Sequence, residues 1–130
     1  MIRIAIAVVV GIAGFIGINL INSEDATPTE PSAFSVVQAD VHSEAKLYDV
    51  RTSQEYAAGY FENAENWSLQ DMQAGKYPDI PKTTKLYVYC QSGNRSSQAT
   101  RLLNDAGFTN VVDLGGLQDV QSSGGTLQTL

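Results

Sequence analysis

Residues 85–107 read KLYVYCQSGNRSSQATRLLNDAG, and this stretch decides the fold. Its first five residues are mostly apolar and β-prone, which predicts a central strand that places Cys90 at its carboxyl end. After a short polar segment, apolar side chains recur at the spacing of one helix face, at Ala99, Leu102, Leu103 and Ala106. Gly107 is a typical helix stop. The stretch therefore predicts a strand, a loop that begins with a cysteine, and a helix.

The segments on either side continue this alternation. Lys46–Val50 is a second β-prone run, a short helix is predicted from Gln54 to Ala58, and Phe108–Leu114 supplies a further strand. Strands that alternate with helices pair in parallel, so the pattern predicts an α/β domain. Ligands of such sheets bind beyond the carboxyl ends of the strands, which is where Cys90 is expected.

The loop after Cys90 has the composition of an anion-binding site, since it consists of Gln91, Ser92, Gly93, Asn94, Arg95 and Ser96. Successive backbone N–H groups of such a loop can point inward, and the following helix, which we expect Ser96 or Ser97 to cap, adds its dipole. These surroundings favour the thiolate form of a cysteine. Gly93 permits a turn that a Cβ would hinder. Arg95 offers a permanent positive charge to an anionic substrate.

The length and charge of the chain limit its function. With 130 residues it has material for one domain and a short extension. The formal net charge is −6, and apart from Arg3 there are 7 basic and 14 acidic residues. The basic residues are scattered singly, whereas a nucleic-acid backbone requires a basic stripe. We therefore predict no nucleic-acid partner.

The chain contains a single cysteine and a single histidine. Cys90 has no partner for an intramolecular disulfide, so it is either free or reactive. His42 is far from it in sequence, and no metal-ligand spacing can be composed from the two residues. We therefore predict neither a metal nor another cofactor. We expect His42 at the surface and not in the role of a general base.

The N-terminal segment predicts export. Ile4–Ile21 is almost entirely apolar or glycine and follows Arg3, which is typical of a signal peptide. A helix of its 18 residues would be about 27 Å long, just short of a bilayer core of about 30 Å. A cleaved signal peptide and an uncleaved anchor in the inner membrane both stay open for residues 1–22. Acidic residues follow the segment, so we expect the domain in the periplasm, with the uncleaved segment as its one membrane contact.

Pro28 and Pro31 stand among small polar residues just after this segment. Such composition indicates a tether. We assign residues 23–34 to a linker and residues 35–130 to the folded domain.

Several motifs, taken in order, resemble those of the rhodanese family, especially its small single-domain periplasmic members. They are Asp49-Val50-Arg51 followed by Glu55-Tyr56, Gly59 leading to Ala64-Glu65-Asn66, the Cys-x-x-Gly-x-Arg-Ser loop at Cys90–Ser96, and Gly115-Gly116-Leu117 with Asp119. The resemblance covers about Lys46 to Val120, and its order and spacing make it specific. Two departures concern substrate detail: Tyr60 stands where many members have histidine, and Leu117 where many have tryptophan.

The resemblance implies an open parallel sheet flanked by helices, with Cys90 as the nucleophile. It also implies that the loop amides from Gln91 to Arg95 hold a persulfide, and that Asp49 and Arg51 support the site. We expect Arg51 to form an ion pair with Glu55. The implied activity is thiosulfate sulfurtransferase: Cys90 takes sulfur from thiosulfate or a similar donor and gives it to cyanide or a thiol.

Two alternatives differ in reaction class. Cysteine phosphatases and arsenate reductases also surround an anion with a cysteine and an arginine, but their loops have five residues between the two, whereas Cys90 and Arg95 enclose four. The shorter loop encloses less space than a phosphatase loop does, which suits a single sulfur atom. A non-catalytic sulfur carrier is the other alternative, although members that lose activity generally lose the cysteine.

Overall fold

The computed structural model describes residues 31–129. The predicted signal peptide or anchor and most of the predicted linker lie outside this range. Within it, no helix is both long enough and apolar enough to cross a membrane. The elements in chain order are α1 (Ala33–Ser43), β1 (Lys46–Asp49), α2 (Ser53–Ala58), β2 (Tyr60–Phe61), β3 (Glu65–Asn66), α3 (Leu69–Gln73), β4 (Leu86–Tyr89), α4 (Asn94–Asp105), β5 (Val111–Gly115), α5 (Leu117–Ser122) and β6 (Leu127–Gln128).

Four strands form one parallel sheet in the order β3-β1-β4-β5. This confirms the predicted α/β fold with a parallel sheet flanked by helices. In the register of β1 with β4, Asp49 lies opposite Tyr89. The two strands therefore end side by side, and the residues that follow Asp49 are brought close to Cys90.

Strand β4 is buried on both faces. Because alternate side chains of a strand point to opposite sides, Leu86 and Val88 face one layer while Tyr87 and Tyr89 face the other. The first layer also contains Cys90, Met72, Ala99, Leu103 and Phe108. The second contains Phe34, Phe61 and Val120, from α1, β2 and α5. Burial on both faces is typical of a central strand that carries helices on each side.

Helix α1 begins at Ala33, so its first two residues come from the segment predicted as the linker. The Ser32 hydroxyl caps the helix by accepting a hydrogen bond from the Ser35 N–H at 3.1 Å. Phe34 is buried, with its ring 5.7 Å from that of Phe61. The apolar contact of Phe34 thus extends the folded domain toward the N-terminus.

The C-terminal segment forms the short helix α5 and then a strand that the sequence did not indicate. Strand β6 pairs in antiparallel fashion with β2, with Leu127 opposite Phe61. Two residues within a glycine-rich tail carry no periodic pattern. The pairing is therefore a product of the tertiary fold.

Candidate active site

Cys90 follows β4 directly and is fully buried. Its backbone N–H donates to the Gly115 carbonyl at 2.9 Å, which fixes the end of β4 against β5. Its sulfur accepts a hydrogen bond from the Gly93 N–H at 2.9 Å. The Cys90 Sγ also lies 3.6 Å from the Ser96 hydroxyl oxygen. The cysteine sulfur therefore occupies the inner side of the loop that follows it.

Gly93 turns the chain from the loop into α4. Its φ of 98° lies in the left-handed region, where a side chain is strained. It is also the N-cap of α4, so the expectation that Ser96 or Ser97 caps this helix is wrong. The left-handed turn starts the helix earlier, which places Ser96 in the first turn. There its buried hydroxyl donates to the Gly93 carbonyl at 3.1 Å.

The first turn of α4 supplies further N–H groups at the same end of the sheet. In α4 the Ser97 N–H is the first to donate to a carbonyl four residues earlier, and its acceptor is the Gly93 carbonyl at 3.1 Å. The N–H groups of Asn94, Arg95 and Ser96 precede it, and they have no acceptor one helical turn earlier. Together with the dipole of a twelve-residue helix, these groups favour negative charge near the sulfur.

Gly115 and Gly116, the two glycines at the junction of β5 and α5, form a second wall of the loop. The Leu117 N–H donates to the Gln91 carbonyl at 3.1 Å, and Ser92 forms a β-bridge with Gly116. A Cβ on Gly116 would lie 2.7 Å from the Gln91 carbonyl oxygen. The sequence marked this glycine pair only as part of a motif. Its physical role is to let two backbones approach closely.

Arg51 pairs with Asp49, and the predicted Arg51–Glu55 ion pair is wrong. Both side chains are buried, and the Arg51 Nη2 lies 2.6 Å from the Asp49 Oδ2. The Arg51 Nε donates to the same carboxylate at 3.0 Å, and the Arg51 backbone N–H donates to it at 2.9 Å. Arg51 precedes α2, so the helical spacing that would bring it beside Glu55 does not apply.

The same arginine connects β1 to the cysteine loop. Its Nη1 donates to the Gln91 Oε1 at 3.3 Å, and its Nη2 donates to the Gly59 carbonyl. Asp49 and Arg51 were predicted as supporting residues. The structure places them at the carboxyl end of β1, in contact with Gln91 of the loop through Arg51.

Glu55 forms a two-point ion pair with Arg95, an arrangement that sequence reasoning missed. The Arg95 Nη1 and Nη2 donate to the two carboxylate oxygens at 2.7 and 2.9 Å. Glu55 also accepts a hydrogen bond from the Thr52 N–H at 3.0 Å, which completes a capping box at the start of α2. Mainly because of Arg95, the pKa of Glu55 falls from 4.5 to about 2. Glu55 in turn raises the pKa of Arg95.

The remaining loop side chains differ in exposure. Gln91, Ser92 and Asn94 are exposed, whereas Cys90 and Ser96 are buried beneath them. A molecule that approaches the loop therefore meets its polar surface before it meets the thiol.

Two residues outside the loop complete the predicted set. Tyr60, which stands in the position of a family histidine, stacks on Tyr56 with ring centroids 4.7 Å apart. His42 is exposed on α1. Across residues 31–129, no group of three or more histidine, cysteine, aspartate and glutamate side chains could hold a metal ion.

Comparison with known proteins identifies the family. The model of the rhodanese-like domain matches residues 35–123. The chain belongs to the rhodanese-like domain family. The match includes the cysteine loop, both arginine–carboxylate pairs and the Gly115–Gly116 wall. The predicted family membership is therefore confirmed.

Two curated relatives of this rhodanese-like chain are named as sulfurtransferases. The thiosulfate sulfurtransferase PspE of Escherichia coli is 36% identical over 75 residues, which cover 55% of this chain and 70% of that protein. The adenylyltransferase and sulfurtransferase uba4 of Ogataea parapolymorpha is 36% identical over 84 residues, or 64% of this chain. The match spans only 22% of the uba4 protein. These relatives support sulfur transfer as the general activity.

Solved structures support the same fold. A crystal structure of the Alr3790 protein from Anabaena has a TM-score of 0.65 and 27% identity, covering 74% of this chain and 89% of that one. A rhodanese with anions from Escherichia coli has a TM-score of 0.55 and 26% identity, covering 66% of this chain and 99% of that one.

Proposed function

We propose that this rhodanese-like protein transfers sulfane sulfur through a persulfide on Cys90, with thiosulfate or a related compound as donor and cyanide or a thiol as acceptor. The observation that carries the proposal is the hydrogen bond from the Gly93 N–H to the Cys90 sulfur, 2.9 Å long. A hydrogen-bond donor aimed at the sulfur stabilises the negative charge of a thiolate there.

The reaction consists of two displacements. The Cys90 thiolate attacks the outer sulfur of thiosulfate, a new S–S bond forms, and the original S–S bond breaks with its electron pair leaving on sulfite. Cyanide then attacks the outer sulfur of the persulfide, and thiocyanate leaves while the thiolate is restored. Neither displacement requires a proton when the thiol is ionised at the start. This agrees with the position of His42 on the surface of α1, outside the loop.

The loop must move for the donor to reach the thiol, because Cys90 is fully buried. The loop side chains nearest the solvent are Gln91, Ser92 and Asn94. The Gln91 side chain is held by one hydrogen bond of 3.3 Å from Arg51, whereas the loop backbone is tied to Leu117 and Gly116. We therefore expect the exposed side chains of the loop to move aside while its backbone, β4 and α4 keep their places.

Intact-mass measurement tests the proposal. The full chain, purified in mild detergent, should become one sulfur atom heavier after incubation with thiosulfate, and cyanide should remove that sulfur. Cys90→Ser should abolish both changes, since a serine hydroxyl is a far weaker nucleophile toward sulfane sulfur and cannot form a persulfide. Near-unchanged urea unfolding of this variant would show that the loss is chemical.

An aryl phosphate assay on the same preparation tests the alternative class. A wild-type chain that gains no sulfur yet hydrolyses aryl phosphates through Cys90 would overturn the proposal. It would also show that the number of residues between Cys90 and Arg95 does not separate the two reactions.

Export to the periplasm is part of the same proposal. It is supported by the apolar run Ile4–Ile21 after Arg3 and by the acidic residues that follow. Cell fractionation should find the protein outside the cytoplasm. The mass of the mature chain then distinguishes a cleaved signal peptide from an anchor.

A further inference from the structure

Both arginines that touch the cysteine loop are neutralised by carboxylates. In the part of the chain that the structure describes, Arg51 contacts the loop through Gln91 and is paired with Asp49. Arg95 belongs to the loop and is paired with Glu55 at 2.7 Å. Arg95 is the one charged residue between Cys90 and Ser96. Neither arginine therefore leaves an uncompensated positive charge at the exposed surface of the cysteine loop, which we call the mouth of the site.

We propose that Glu55 determines donor specificity by occupying the guanidinium group of Arg95, so that the site favours sulfane donors with one negative charge over the dianion thiosulfate. Organic thiosulfonates and persulfides of small thiols are donors of the favoured class. This inference rests on the proposed sulfur transfer through Cys90. It adds a specificity-determining residue that does not itself touch the reacting sulfur.

The geometry shows why a donor does not simply displace Glu55. Both outer nitrogens of Arg95 are used, since they donate to separate carboxylate oxygens at 2.7 and 2.9 Å. The Thr52 N–H and hydroxyl also donate to the Glu55 Oε1, each at 3.0 Å, and so fix the carboxylate that Arg95 contacts. An anion that recruited Arg95 would have to break a charge-assisted, two-point contact with a carboxylate already fixed by α2.

Because Glu55 occupies Arg95, backbone dipoles are the groups that remain to bind the donor. The N–H groups at the start of α4 and the Gly93 N–H act as a partial positive charge, equivalent to roughly half an elementary charge at a helix N-terminus. A single negative charge is compatible with this field. A second negative charge would lie near Glu55 without a cation of its own, in a chain whose net charge is −6.

Two donors that differ by one charge test the inference. Thiosulfate is a dianion and methanethiosulfonate a monoanion, and each gives its outer sulfur to the thiolate, with sulfite or methanesulfinate as the leaving group. The intrinsic reactivity of each donor cancels when its kcat/KM in the variant is divided by its kcat/KM in the wild type. Glu55→Gln should raise kcat/KM for thiosulfate, relative to methanethiosulfonate, by roughly five- to tenfold, because a unit charge near the mouth is removed. Glutamine keeps the capping box, so α2 should stay folded.

Glu65→Gln is the matched control, since it changes the net charge equally. Glu65 pairs with Lys46, away from the loop, at 3.1 Å. The control should leave the ratio of the two donors unchanged. An equal change for both donors in Glu55→Gln, or no change, would overturn the assignment of Glu55 while leaving sulfur transfer intact. If the wild-type chain turns over neither donor, it is the proposed function that fails.

Discussion

The Gly93 N–H donates a hydrogen bond to the Cys90 sulfur at 2.9 Å across a turn in which Gly93 has a left-handed φ of 98°. The same residue thus supplies both the donor and the backbone conformation that aims it. Because this turn also starts α4, the amides of the first helical turn follow it at the same end of the sheet.

Gly93→Ala should impair sulfur transfer more than it impairs folding. A Cβ at this position would meet its nearest atom at 3.7 Å, so the cost comes from the left-handed backbone and amounts to about 1–2 kcal/mol of unfolding free energy. Relief of that strain would turn the N–H away from the sulfur. Gly75→Ala is the matched control, since Gly75 has a φ of 85° and open space around its Cβ position. Urea unfolding and persulfide formation should separate the two variants. Equal persulfide rates would contradict the role of the Gly93 N–H.

Arg51→Met should destabilise the fold by about 3–5 kcal/mol, because it leaves the buried Asp49 carboxylate without its partner. Lys46→Met removes one partner of an exposed pair with Glu65 and should cost only about 0–1 kcal/mol. Urea unfolding at neutral pH measures both. A small loss in Arg51→Met would mean that Asp49 is satisfied by other groups.

Stability should decline in acid partly through Glu55. Its pKa is 4.5 ordinarily and about 2 in the folded chain, so its contribution is complete above pH 4.5 and is lost as the pH falls toward 2. Glu55→Gln should therefore show a shallower fall of unfolding free energy across this window. Denaturant titrations at several pH values provide the test. Identical slopes in variant and wild type would rule out this linkage.

Arg95→Ala should raise KM for thiosulfate while some persulfide formation persists, since the loop amides and the helix terminus are retained. The KM should rise because the variant leaves the Glu55 carboxylate, which pairs with Arg95 in the wild type, without a partner beside the loop. The double variant with Glu55→Gln should recover part of the loss. Steady-state kinetics of the three variants measure this coupling, and strictly additive effects would argue against it.

Added inert salt should leave kcat/KM for thiosulfate unchanged or raise it. The net charge of −6 repels an anionic donor at long range, and 0.15 M salt shortens the Debye length to about 8 Å. Initial rates in increasing sodium chloride supply the measurement. A steep fall of kcat/KM with salt would reveal a positively charged surface around the site that attracts the donor.

The Arg95–Glu55 contact, which the sequence failed to predict, joins segments distant along the chain. Arg95 and Glu55 are 40 residues apart, and they meet because α2 and α4 both begin at the carboxyl edge of one sheet. The expected Arg51–Glu55 pair does not form, and Arg51 lies before the N-cap Thr52, outside α2. Asp49, two residues earlier, instead accepts hydrogen bonds from both the backbone N–H and the guanidinium group of Arg51.

The sequence by itself determined the strand that ends at Cys90, the polar loop and the helix after it, because these depend on local periodicity and on glycine and capping residues. It also predicted the family, and it pointed to Cys90 as the nucleophile that we propose. Only the tertiary structure decided which carboxylate each arginine meets, and that Gly116 packs against Gln91. The Arg51–Asp49 pair is local, but the Arg95–Glu55 and Gly116–Gln91 contacts depend on strand order and register, which arise from burial of both faces of β4 and not from any single segment.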